Sequence, residues 1–225
     1  FPSIRQPLLS YGTDGSATDD AFNSCGAKCS GYTTPEVLSE AYNFKPPASS
    51  ASGNSVAVAE FQLQYYDTAD LDAFDAACDV TVSVDTTIGG NVEKICDLGG
   101  CVEALLDIEY LGAITYPIPL TVIYQGEYSL LTWINDVISM ANPPLVHSVS
   151  YGNDEVQQTS EEYMQTVNTQ FMMAGSMGLS ILFASGDQGV WGRSGVGATY
   201  HPDFPAGSPY VTAVGGTNFQ TKSVI

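Results

Sequence analysis

Three short stretches hold residue types that could do acid–base chemistry on a peptide. The first is Glu103-Ala104-Leu105-Leu106-Asp107. Residues four apart share one face of a helix, so the carboxyl groups of Glu103 and Asp107 project together. A close pair of this kind shares a proton, with one apparent pKa raised and the titration belonging to the pair. Such a pair can act as a general base below about pH 5, where a histidine is protonated and useless in that role. The second stretch is Phe183-Ala184-Ser185-Gly186-Asp187-Gln188-Gly189, an apolar run leading into a glycine-flanked acid. Gly186 permits a tight turn, and a protonated Asp187 could donate a hydrogen bond to a developing oxyanion. The third is Ser148-Val149-Ser150-Tyr151-Gly152, where extended backbone could pair with a peptide by strand addition. Taken singly, each also reads blandly: a solvated acidic helix face, an Asp-Gly turn and a strand end.

The elements that must hold these stretches alternate along the chain. Thr34-Pro35-Glu36 supplies an N-cap, a proline at the first helical position and an early acid, which predicts a helix through Tyr42. Strands are expected over 56–61, 80–84, 120–124, 145–150, 179–184 and 210–214. Helices are expected over 67–76, from Gly99-Gly100 to about 113, and over 128–140. A further helix follows a capping box made by Thr159 and Glu162 and runs to about 176. Continuous apolar strands separated by helices imply an α/β fold, a mostly parallel sheet covered on both faces. Sites in such sheets lie beyond the carboxyl ends of strands, which singles out the loops after Phe61, Tyr124, Ser150 and Ala184. Residues 1–32 read as an N-terminal arm or loop, and 33–225 as one incomplete domain.

Composition narrows the function classes. The 225 residues include 25 Asp and Glu against 6 Lys and Arg, a formal net charge of −19. That surface repels nucleic acid and anionic membrane, and no apolar run approaches a membrane span. Protonating carboxylates at about pH 3 to 5 relieves the self-repulsion, which suits an acidic compartment or medium. Of the five cysteines, Cys96 and Cys101 bracket a short glycine-containing loop, and so do Cys25 and Cys29, while Cys78 stands apart. With no CxxC and with His147 and His201 far from either pair, disulfides fit better than zinc, though the connectivity stays open. Neither a Gly-x-Ser-x-Gly elbow, a P-loop nor a dinucleotide fingerprint occurs. An aspartic-type hydrolase fails as well, because Asp85-Thr86-Thr87 lacks the glycine and the alternating α/β pattern is wrong for an all-β fold.

In order and spacing, four stretches resemble the sedolisins, the serine-carboxyl peptidases. They are Val58-Ala59-Glu60-Phe61 with Gln64-Tyr65-Tyr66 and Asp70-Leu71; Glu103 with Asp107; Ser148 to Gly152; and Ser185 to Gly189 followed by Phe204 to Thr217. The resemblance covers about residues 33–217. It implies a subtilisin-like fold and hydrolysis of peptide bonds at acid pH, by an endopeptidase or a tripeptidyl peptidase. It implies Glu103 as general base, Asp107 as its orienting partner and Asp187 as a neutral oxyanion-hole donor. Ser150, Tyr151, Gly152 and Gly186 would bind substrate backbone. The family's nucleophilic serine, in a Ser-Gly-Thr-Ser motif, and its calcium loop lie further downstream than residue 225. Two expectations follow: the serine comes from a C-terminal segment or second chain, with Gln220 to Ser223 a polar stretch suited to nicking, and the protein is secreted or sits in a lysosome-like compartment. The competing reading is a non-catalytic binding or scaffold homologue that keeps the fold.

Overall fold

The computed structural model describes residues 32–194 and 199–217. Most of the expected arm, residues 1–31, lies outside them, as do Cys25, Cys29 and the stretch Gln220 to Ser223. Eight strands and five α-helices are described. The helices are α1 (Pro35–Tyr42), α2 (Thr68–Cys78), α3 (Val102–Thr115), α4 (Leu130–Ser139) and α5 (Glu161–Ser176). The strands are β1 (Val56–Phe61), β2 (Val84–Ile88), β3 (Leu120–Gln125), β4 (Val146–Val149), β5 (Asn153–Asp154), β6 (Ser180–Ala184), β7 (Asp203–Phe204) and β8 (Thr212–Val214). Six of them form one sheet in the order β2-β3-β1-β4-β6-β8, and every pairing in it is parallel.

β1 lies between β3 and β4, and all six of its residues are buried. Alternate side chains of a strand point to opposite faces. Ala57, Ala59 and Phe61 face a core closed by Leu130, Trp133, Ile134 and Val137 of α4 and by Val167, Phe171 and Ala174 of α5. Val56 and Val58 face the other core, closed by Leu71 of α2 and by Ala104 and Ile108 of α3. The helix residues recur at three- and four-residue spacing, so each helix presents one apolar stripe to the sheet. Fully burying one such Val, Leu, Ile or Phe side chain contributes about 1.5–3 kcal/mol of transfer free energy. By the same parity Glu60 points to the α3 side, and it is the one acid on this central strand.

Five of the six expected sheet strands fall where the sequence puts them, give or take a residue or two. The sixth differs. β2 covers Val84–Ile88 rather than 80–84. The alternation Val80, Val82, Val84 looks like a strand, but its first half belongs to the connection from α2. Val82 donates its backbone N–H to both carboxylate oxygens of Asp75, at 2.9 and 3.1 Å. β2 then pairs only with β3, at the sheet edge, with a register shift between Val84 and Thr86. An edge strand tolerates polar residues, and the Asp85 carboxylate here accepts the N–H of Leu120 at 2.9 Å.

The start of α5 also needs correction. Ser160, not Thr159, is its N-cap, and the Ser160 hydroxyl accepts the N–H of Tyr163 at 3.1 Å. The Glu162 carboxyl is held below its usual range by its own backbone N–H and by the Ser160 hydroxyl. The two-residue antiparallel pair of β5 with β7, outside the main sheet, has no counterpart among the expected elements.

Candidate active site

The candidate site forms where the carboxyl ends of β1, β4 and β6 meet the start of α3. The chain leaves β1 through Gln62 and Leu63, both with positive φ (55° and 68°). This is an uncommon conformation for residues with side chains and one that tends to gather at functional sites. Two bonds secure the turn: the Gln62 N–H donates to the Gln125 carbonyl at 3.2 Å, and the Leu63 N–H to the Tyr124 hydroxyl at 3.2 Å. Next in the chain, the Gln64 side-chain oxygen accepts the backbone N–H of Glu103 at 3.1 Å. The first turn of α3 is thus tied to the end of β1.

Glu103 and Asp107 are both half-buried on α3, one turn apart, as the spacing predicts. The residue that sequence reasoning passed over is Glu60. It is fully buried, and its carboxyl is held well above the ordinary range, first by burial and then by the nearby charge of Asp107, with Glu103 adding to it. Three carboxyl groups therefore converge from two elements. The Tyr151 hydroxyl donates to Glu60 Oε2 at 3.0 Å and accepts the Phe61 N–H at 3.3 Å. Burial, then the Glu60 charge, pushes the Tyr151 phenol far upward, so it stays a donor. Glu60 Oε1 makes no hydrogen bond among the described residues. A buried, singly bonded carboxyl beside two other acids holds its proton. One sequence signal could have found it: an acid inside an otherwise continuous apolar strand.

Tyr151 continues the site toward β6. It packs edge-on to Phe61, ring centroids 4.8 Å apart, beneath Tyr128. Gly152, next in the chain, is buried against Asp203, whose side chain would collide with any Cβ at that position. The same Asp203 carboxylate faces Gly186, which needs its positive φ of 89°. The β5–β7 pair brings these segments together. Arg193 bridges them too: its guanidinium donates to the Gly152 carbonyl at 2.8 Å, and its backbone N–H to the Asp154 carboxylate at 2.8 Å. Asp154, Ser185, Gly186, His201 and Asp203 line a cavity of about 460 Å³. Asp187 is exposed on the turn after β6, between Gly186 and Gln188, which line the cavity, and Ser150 is half-buried at the end of β4.

The structure thus brings Glu103, Asp107 and Tyr151 together through Glu60, and Gly152 and Gly186 together through Asp203. The histidines lie elsewhere. His147 is fully buried in β4, its Nε2 2.8 Å from the Pro144 carbonyl and its ring edge-on to Trp133. Burial lowers its pKa to about 4, so it is a core residue that stays neutral above that pH. His201 lines the cavity. Calcium, implied by the family resemblance for the complete protein, finds no ligand set among the described residues. No group of three or more His, Cys, Asp or Glu side chains there could hold a metal ion. Nor is any described helix long and apolar enough to cross a membrane.

Comparison with known proteins agrees with this architecture. Residues 118–224 match the subtilase family model, Peptidase S8. Tripeptidyl-peptidase 1 of Mus musculus is 38% identical over 201 residues, 85% of this chain and 35% of the mouse protein. The Homo sapiens protein is 37% identical over the same shares. The chain therefore spans about a third of the length of these relatives. Among solved structures, Pseudomonas sedolisin, a serine-carboxyl proteinase complexed with pseudo-iodotyrostatin, superposes with a TM-score of 0.61 at 25% identity. That match covers 82% of this chain and 51% of the sedolisin chain. With its parallel sheet, its helices on both faces and these relatives, the chain has a subtilisin-like fold and is similar to tripeptidyl-peptidase 1 and to sedolisin.

Proposed function

We propose that residues 33–225 supply the acidic part of the active site of a serine-carboxyl peptidase that cleaves peptide bonds at about pH 3 to 5. In this reading Glu103 is the general base, and Asp107 orients it and shares its proton. The nucleophilic serine belongs to polypeptide C-terminal to residue 225, in the same chain or in a second one cut from the same precursor. Asp187, on the turn after β6, takes the oxyanion-hole position. Ser150, Tyr151, Gly152 and Gly186 line the cleft and hold the substrate backbone. The observation that carries the reading is the convergence of Glu103 and Asp107 on the buried, proton-holding Glu60. A cluster of acids kept partly protonated by its own crowding is a base suited to acid, where imidazole is already charged.

Calcium belongs to the proposal only through the downstream polypeptide, and location in a secreted or lysosome-like acidic space follows from the chemistry. Endopeptidase and tripeptidyl peptidase action are both compatible with the cleft. The test is Glu103→Gln in the full-length protein, assayed on peptide substrates across pH 3 to 7 (about the range where carboxyls and imidazole titrate). Turnover should fall by at least about a hundredfold, as removing a general base does, while circular dichroism stays unchanged. Undiminished turnover would overturn the assignment.

A further inference from the structure

The helix that carries Glu103 differs from its neighbours in how it begins. Thr34, Asp67, Ser129 and Ser160 cap α1, α2, α4 and α5 with a side-chain oxygen. The N-cap of α3 is Cys101, which makes no capping hydrogen bond. Cys101 is instead bonded covalently to Cys96. Of the two sulfur-bearing residues, Cys101 is buried (2% exposed) and Cys96 half-buried.

Between them lie Asp97, Leu98, Gly99 and Gly100, and glycine has the widest backbone freedom of any residue. Gly99 has a positive φ of 78°, and the preceding Leu98 is 83% exposed. On the far side, the 3-10 turn Glu93–Leu98 is anchored to the loop after β1 and to the start of α2. Asn91 exchanges hydrogen bonds with the backbone of Tyr66 at 2.9 and 3.2 Å, and Thr68 donates to Glu93 at 2.7 Å. The covalent tie therefore joins an anchored turn to the N-cap of a helix, across a two-glycine hinge. Glu103 follows two residues later. Helix ends fray when the first N–H groups lack partners, and in this first turn Gln64 accepts the Glu103 N–H from the end of β1.

We propose that the Cys96–Cys101 disulfide is a positioning element for Glu103, taking the place of the missing side-chain cap and fixing the first turn of α3 against the end of β1. The proposal rests on the reading of Glu103 as the base. Cleaving the bond frees the glycine hinge, lets the first turn fray and moves the Glu103 carboxyl relative to Asp107 and Glu60. Activity then answers to thiol oxidation through geometry rather than through any contact of sulfur with substrate.

The test uses the full-length enzyme in four forms: wild type, Cys96→Ser/Cys101→Ser, Glu103→Gln, and wild type treated with a water-soluble phosphine at acid pH. The phosphine takes the oxygen of one water to become its oxide. Its two electrons break the S–S bond, and the protons of that water leave both sulfurs as thiols. The double variant should lose about tenfold in kcat, of the order expected for a small misplacement of a catalytic group, with KM within about twofold. Its amides at 103–106 should exchange faster, while those of β1 and of 108–115 keep their protection. Phosphine should reproduce both effects in wild type and add nothing in the double variant. Should the double variant fold poorly, the phosphine-treated wild type supplies the same readings. Wild-type kcat and unchanged protection at 103–106 overturn the positioning role even where Glu103→Gln is inactive. If Glu103→Gln proves fully active, the base assignment fails instead, and amide protection alone decides whether the disulfide orders the turn.

Discussion

Glu60 shows how one residue can set the electrostatics of a site while looking like part of a strand. Its place on β1 is dictated by the apolar residues around it, and its direction by the two-residue period of the strand. Val56 and Val58 face the α3 side, so Glu60 must as well, beneath the helix that carries Glu103 and Asp107. The structure reveals a third carboxyl where the sequence suggests only a pair. An acid inside a continuous apolar strand is visible in the sequence, but its role is not, because that depends on what the next helix lays over it. The sign of its contribution follows from the raised pKa. In the unfolded chain Glu60 ionises near its ordinary value of 4.5, while in the folded protein it keeps its proton well above that. Stability from this group is fully present below pH 4.5 and is lost as pH rises toward the folded pKa. Glu60→Gln keeps an oxygen for the Tyr151 hydroxyl and removes the titration. Its melting temperature should match wild type near pH 4, at about the ordinary carboxyl pKa, and exceed it by a growing margin as pH rises to neutrality. Thermal melts of both proteins over that range check this, and a constant offset at all pH values would refute it.

At the scale of elements, most of the sheet could be read from sequence because its strands are continuous apolar runs between clear turn residues. β1, β3, β4 and β6 come from such runs. β2 escaped because an edge strand with one partner draws its register from that partner rather than from its own pattern. The β5–β7 pair escaped because two residues carry no period at all. Yet it brings Gly152 and Gly186 to the same Asp203, and so joins two of the motifs that the sequence shows only as separate turns. The start of α5 was missed by a single residue, since Thr159 and Ser160 both bear the right hydroxyl. That ambiguity can be tested directly. Ser160→Ala removes the oxygen that accepts the Tyr163 N–H and should cost about 1 kcal/mol. In a domain of this size that lowers the melting temperature by about 2–4 °C. Thr159→Ala should change stability by less than about 0.5 kcal/mol, the range of ordinary surface substitutions. Equal losses in the two variants would show that the helix start is shared between them.

Over the whole molecule, an excess of 19 negative charges at pH 7 has to coexist with a site built from crowded carboxyls. Both features push the same way. Raising the pH ionises surface acids, which repel one another, and it forces protons off Glu60 and off Glu109. Burial, then the charges of Asp70 and Asp75, lifts the Glu109 pKa to about 7. His147, in the core, opposes this trend. Its folded pKa of about 4 lies below the ordinary 6.5, so its penalty appears as pH falls through 6.5 and is complete below about 4. The fold is thus loaded against neutral pH by charge repulsion and against strong acid by a core imidazole. Salt separates the long-range part from the buried part, because it screens exposed charges over a Debye length of about 10 Å at 0.1 M and leaves buried groups largely untouched. Near the sequence pI of about 4.1 the net charge approaches zero. Raising sodium chloride from about 0.02 to 0.5 M should therefore lift the melting temperature by several degrees at pH 7 and by little at pH 4. The rise at pH 7 should stop short of the value at pH 4, since the buried Glu60 and the half-buried Glu109 still lose protons there. A melting temperature at pH 7 restored to the acid value by salt alone would assign the whole effect to the surface and none to the carboxyls gathered under α3.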